Sequence, residues 1–95
     1  MLRNYESMII LIPALSEEES NQANQEILDY IKKTGGEPSE PDVWGKRQLA
    51  YEIKSFKEGY YFVNKYQYEP SKISELERII KINEKVIRYN ILVKE

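Results

Sequence analysis

Two helix-forming segments, each placed between strand-forming segments, constrain the fold of this 95-residue chain more than any other feature. The first helix is predicted to begin after Ser16. Ser16 and Glu19 form a capping box, in which the side chain of each residue can accept a hydrogen bond from the backbone N–H of the other. It ends at Gly35-Gly36, because glycine readily takes the left-handed conformation that closes a helix. The second helix opens at Glu69-Pro70-Ser71, and Asn83 is predicted as its left-handed C-cap. Apolar residues recur at helical spacing in both segments: Ala23, Ile27, Tyr30, Ile31, Ile73, Leu76, Ile79 and Ile80.

The remaining sequence predicts four strands. The first, third and fourth are Tyr5–Ile12, Tyr60–Tyr68 and Val86–Val93; the second has an irregular start over Glu37–Trp44 and a regular alternation of Leu49, Tyr51 and Ile53. Proline cannot donate to a strand ladder, so Pro38 and Pro41 place the second strand at an edge of the sheet. Ser55–Gly59 is predicted as a hairpin tip. Asn64 and Lys65 interrupt the apolar pattern of the third strand and leave its register open.

The resulting element order, β-α-β-β-α-β, predicts an α+β fold of the ferredoxin-like type. Right-handed crossovers then place both helices on one face of a four-stranded antiparallel sheet ordered 4-1-3-2. A chain of this length forms one core, so residues 1–95 are expected to be a single domain. Ile27, Ile31, Leu76 and Ile80 should then be buried against Ile9 and Leu11.

Composition excludes most kinds of catalytic and metal chemistry. The chain has no histidine and no cysteine, which removes the commonest general base, thiolate metal sites and disulfides. It contains no nucleotide-binding or metal-ligand motif. We therefore expect no catalytic residues, no cofactor, no metal and no small-molecule substrate. No apolar stretch approaches the roughly 20 residues of a membrane span, and no secretory signal is recognisable, so a cytoplasmic protein without a membrane partner is predicted.

Charge is distributed unevenly along the chain. Residues 1–45 carry three basic and nine acidic side chains (−6), whereas residues 46–95 carry eleven and seven (+4), for a net charge of −2. An isoelectric point near 5.3 argues against indiscriminate nucleic-acid binding but allows a local basic surface. Lys46 and Arg47 after Gly45, with Lys54 at the far end of the same strand, offer such a surface to phosphates. The alternative role for these cations is solubility and protection of the sheet edge.

Three motifs resemble one known family, the sixth protein of the bacterial small ribosomal subunit. They are Gly45–Lys54 (GKRQLAYEIK), Arg3-Asn4-Tyr5-Glu6 and Asn83–Arg88. The resemblance covers nearly the whole chain. It implies a ferredoxin-like fold, a location in the ribosome and no enzymatic activity. It also implies binding to the central domain of small-subunit ribosomal RNA, jointly with the eighteenth small-subunit protein.

Carried over by position, the resemblance makes four cations candidates for RNA or partner contact: Arg3, Lys46, Arg47 and Arg88. Lys54, at the far end of the same strand as Lys46 and Arg47, is a further candidate. Adjacent residues of a regular strand point to opposite faces, so Lys46 and Arg47 serve one surface only if Gly45 permits a bulge.

Two alternatives come from other features. Gly59-Tyr60-Tyr61-Phe62-Val63 partly matches the aromatic strand of RNA-recognition motifs, which predicts a free-standing single-stranded RNA binder if Tyr60 and Phe62 are exposed on the open sheet face. The fold also hosts small-molecule sensors and enzyme subunits, which would have a deep pocket at a dimer interface.

Overall fold

A computed structural model describes residues 1–94 and contains five strands and two α-helices. In chain order the elements are β1 (Arg3–Leu11), α1 (Glu17–Lys33), β2 (Glu37–Pro38), β3 (Asp42–Ile53), β4 (Phe56–Tyr68), a short 3-10 helix (Pro70–Lys72), α2 (Ile73–Ile82) and β5 (Val86–Lys94).

All strands are antiparallel and form one sheet with β1 and β4 at its centre. β5 pairs with the outer side of β1, and both β2 and β3 pair with the outer side of β4. The predicted strand order is therefore confirmed, except that the second strand is split into the two-residue β2 and the twelve-residue β3. Pro38 and Pro41 lie at this break, where a residue without an N–H cannot continue the ladder.

Alternate residues of β1 and β4 form the face that the helices cover. The pairing is continuous from Arg3 opposite Tyr68 to Leu11 opposite Tyr60, so Asn64 and Lys65 do not disturb the register. Both helices pack on this face and contribute to one buried cluster with it, which confirms the predicted arrangement. The predicted core residues are all buried there: Ile9, Leu11, Ile27, Ile31, Leu76 and Ile80.

The core beneath α1 also contains polar side chains. Asn24 of α1 and Asn64 of β4 are at most 1% exposed and exchange two amide hydrogen bonds, of 3.0 and 2.9 Å. The hydroxyl of Tyr66 is buried nearby on β4, close to the Ser7 side chain but without a hydrogen bond of ordinary length to any of residues 1–94. Burial raises the pKa of Tyr66 to about 12, because the phenolate would be poorly solvated there, and the nearby Ser7 side chain offsets this rise only in part.

The predicted position of the hairpin turn is wrong. The hairpin between β3 and β4 turns at Lys54 and Ser55, whose φ angles are 52° and 72°, and not over Ser55–Gly59. Gly59 lies inside β4, where an added Cβ would come within 2.7 Å of the Ile10 Cγ2 atom. Glycine is thus needed here for close strand packing rather than for a turn.

The C-cap of α2 also differs from the prediction. Asn83 is extended, with φ −75° and ψ 114°, and is not left-handed. Its side-chain oxygen instead accepts a 3.0 Å hydrogen bond from the Lys85 N–H and so shapes the turn into β5.

Candidate nucleic-acid interface

A bulge at Gly45 sets the direction of every side chain that follows it in β3. Val43 pairs with Phe62 and Gly45 with Tyr61, so Trp44 is an extra residue in β3. Gly45 has a φ angle of +79°, a backbone conformation that residues with a side chain rarely adopt. The bulge that Gly45 could permit is therefore present, and it places Lys46 opposite Tyr60 and Arg47 opposite Gly59.

The bulge does not bring Lys46 and Arg47 to one face. The Lys46 ammonium lies 5.3 Å from the ring centre of Tyr60, whose buried ring belongs to the helix-covered face. The Arg47 guanidinium lies 5.6 Å from the Trp44 ring, and its Nε donates a 3.1 Å hydrogen bond to the Trp44 carbonyl. Trp44 in turn stacks on Tyr61 of the opposite, open face, with centroids 6.2 Å apart and planes at 9°. Lys46 therefore lies on the helix-covered side of the β3 edge, and Arg47 lies on its open side.

The β3–β4 hairpin extends across part of the open face. Arg88 of β5 donates a 2.8 Å hydrogen bond to the hydroxyl of Tyr51 in β3, although β1 and β4 lie between these two strands in the sheet. A groove of about 270 Å³ lies beneath this link, with Met8, Ile10 and Tyr61 among its lining residues. The link holds one Arg88 nitrogen in place while the guanidinium stays exposed.

The other two candidate cations lie at opposite ends of the molecule. Lys54 is exposed in the hairpin turn and lines a small cavity together with Arg88. Arg3 pairs in register with Tyr68, eight residues along β1 from Leu11, which is roughly 26 Å at 3.3 Å per residue. The structure thus brings Lys54 and Arg88 together and leaves Arg3 at the far end of the sheet.

Base stacking by Tyr60 and Phe62 is excluded by their burial. Their side chains are only 7% and 1% exposed beneath the helices, and the Tyr60 hydroxyl donates a 2.9 Å hydrogen bond to the Leu15 carbonyl. The aromatic side chains on the open face are instead Trp44, Tyr51 and Tyr61. Because adjacent residues of a strand point to opposite faces, the sequence places Tyr61 on the face opposite Tyr60. The position of Trp44 depends on the bulge at Gly45, which the sequence only suggested.

The residues the structure describes offer no sign of a metal centre or a membrane span. Residues 1–94 contain no group of three or more acidic, histidine or cysteine side chains placed to hold a metal ion. Within the same residues, no helix has both the length and the apolar character needed to cross a membrane.

Two helices against one face of an antiparallel sheet define a ferredoxin-like protein. Cations and aromatic rings lie at the edge of this sheet and on its open face. The family model described as ribosomal protein S6 matches residues 4–93. The chain therefore belongs to the ribosomal protein S6 family, whose members are structural proteins of the small ribosomal subunit and not enzymes.

Similar proteins agree with this assignment along almost the whole chain. The small ribosomal subunit protein bS6 of Natranaerobius thermophilus is 44% identical over 88 residues, which are 93% of this chain and 92% of that protein. The bS6 protein of Bifidobacterium longum is 46% identical over 90 residues, 95% and 93% of the two chains. The crystal structure of 30S ribosomal protein S6 from Thermotoga maritima superposes with a TM-score of 0.92 at 30% identity, covering 99% of this chain and 89% of that one.

Proposed function

We propose that this protein binds the central domain of small-subunit ribosomal RNA as a heterodimer with the eighteenth small-subunit protein. The observation that carries the proposal is the division of the Lys46–Arg47 pair between the two sides of the β3 edge. A protein that contacts both a protein partner and RNA needs two such distinct surfaces. A net charge of −2 also fits a protein that shares RNA binding with a more basic partner.

The side that carries Arg47 has the composition of a protein interface. Trp44 is 45% exposed and Tyr51 63% exposed, and the guanidinium of Arg47 lies over the Trp44 ring. Trp, Tyr and Arg are the residues most enriched at the energetic centre of protein interfaces. We therefore assign this side to the eighteenth small-subunit protein.

Two binding measurements test the proposal. Heterodimer formation is measured first without RNA, and binding to a central-domain RNA fragment is then measured with the partner at saturation. Arg47→Ala should weaken the heterodimer about 5–30-fold, which corresponds to about 1–2 kcal/mol for an interface arginine. Lys46→Ala should leave the heterodimer unchanged, because its ammonium lies on the other side of the edge.

Lys33→Ala is the matched control, since Lys33 is an exposed cation in the last turn of α1 and belongs to none of these surfaces. It should match wild type in both measurements. Wild-type behaviour of the Lys46→Ala, Arg47→Ala double variant in both measurements would refute a binding role for this edge.

A further inference from the structure

We infer that Lys54, Lys81 and Arg88 form a binding site for one phosphodiester group of the RNA backbone. This inference rests on the proposed function and specifies where on the protein the RNA lies. The three residues come from three different elements, the β3–β4 turn, the last turn of α2 and the start of β5. All three line a single cavity of about 220 Å³.

The cations of this cavity have no competing negative charge in its lining. The other lining residues are Val86, Ile87 and Tyr89, of which the first two are buried. Within residues 1–94, no carboxylate forms an ion pair with any of the three cations. Three unpaired positive charges beside a buried apolar wall attract an anion more strongly than the same charges scattered on an open surface.

The geometry of the cations is partly fixed before any ligand binds. The hydrogen bond from Arg88 to Tyr51 holds the guanidinium in place and leaves its other N–H groups available. Lys54 is held in a two-residue hairpin turn, and Lys81 in a helix. The backbones of both lysines are therefore fixed, and their side chains must still be ordered when an anion binds.

One feature of the site opposes anion binding. The C-terminus of α2 carries about half a negative charge from its free carbonyl groups, and Lys81 lies in that last turn. This partial charge is small beside three full positive charges.

The chemistry of the site favours a phosphate over an acidic protein segment. A phosphodiester presents its oxygens to several donors at once, and arginine with lysines is the usual set of donors for it. The cavity is small and all three cations line it, whereas an acidic peptide is bound by donors spread along a strand or groove. Because such contacts read the backbone, they strengthen RNA binding without adding base specificity.

The test removes two of the cations and keeps Arg88, whose link to Tyr51 also shapes the hairpin. The variant is Lys54→Asn, Lys81→Gln; asparagine tolerates the positive φ of the turn, and glutamine is a good helix former. Lys32→Gln, Lys33→Gln is the matched control, because it removes two exposed cations from the end of another helix. Both are measured as heterodimers with a central-domain RNA fragment over a range of salt concentrations.

The cavity variant should bind RNA about 3–10-fold more weakly than wild type at 0.1 M salt. The negative slope of log affinity against log salt should become shallower by about 0.7–0.9, the value for one phosphate contact. Partner binding without RNA should not change, and the control should follow wild type. If the cavity variant binds RNA like the control, the inference is wrong while the proposed function stands. If partner binding weakens without RNA, the cavity faces the protein partner and the inference is again wrong. If the wild-type heterodimer does not bind the RNA, the proposed function fails, and the inference with it.

Discussion

Replacing one member of the buried Asn24–Asn64 pair should destabilise the protein more than replacing both. The two amides satisfy each other through hydrogen bonds of 3.0 and 2.9 Å and are shielded from water. Leucine has nearly the shape of asparagine but no polar atoms. A single Asn→Leu change therefore leaves one amide with a donor and an acceptor that have lost their partners, whereas the double change leaves neither.

The magnitude follows from these two lost partners. A buried polar group without a hydrogen bond costs about 1–3 kcal/mol, so each single variant should lose about 2–6 kcal/mol. The double variant should lie within about 1 kcal/mol of wild type, because apolar groups of the same shape replace both partners. The double-mutant cycle should thus give a coupling free energy of at least about 3 kcal/mol.

Urea unfolding at pH 7 measures these free energies, and an unchanged m-value confirms that the denatured state is unaffected. Gln22→Leu is the control, since Gln22 is an exposed amide on the same helix and should change stability by less than about 0.5 kcal/mol. If the costs of the two single variants simply add in the double variant, the amides do not act as a unit and the reasoning is refuted.

Three further predictions concern stability. Tyr66→Phe should raise stability by about 1 kcal/mol at pH 7, because it removes a buried hydroxyl that makes no hydrogen bond of ordinary length. The pKa of Tyr66 is about 12 in the folded state, whereas an unfolded tyrosine ionises near pH 10. The wild-type protein should therefore lose stability between about pH 10 and pH 12 as Tyr66 ionises in the unfolded state. Identical alkaline unfolding curves for wild type and Tyr66→Phe would contradict this. Gly59→Ala should lower the free energy of unfolding by about 1–3 kcal/mol, because the added Cβ would lie 2.7 Å from the Ile10 Cγ2 atom and 2.8 Å from the Leu11 carbonyl oxygen. An unchanged midpoint of urea unfolding would show that β1 and β4 accommodate the methyl group without cost. Ser16→Ala should cost about 1 kcal/mol and speed amide exchange in the first turn of α1, and equal exchange rates would argue against the cap.

The sequence by itself determined the order of the helices and strands, although not the division of the second strand into β2 and β3. The start of α1 depends on Ser16 and Glu19, which lie three residues apart, and the predicted capping box is present. The edge position of the second strand depends on prolines, whose missing N–H is a local property. The family assignment likewise depends on short motifs such as Gly45–Lys54, and the match to the ribosomal protein S6 family confirms it. These features were predictable because each depends on residues that are close in the chain.

Only the tertiary structure decided what each residue faces. Gly59 was predicted in a turn because glycine is typical of turns, but its role depends on the neighbouring strand, which approaches too closely for a side chain. The two members of the Asn24–Asn64 pair are 40 residues apart, and no sequence pattern links them. Lys54 and Arg88 were separate candidates in the sequence, and Lys81 was not a candidate. They share one cavity because the hairpin, α2 and β5 meet at one end of the sheet. Such convergence is set by strand pairing and packing between distant segments, which local sequence does not encode.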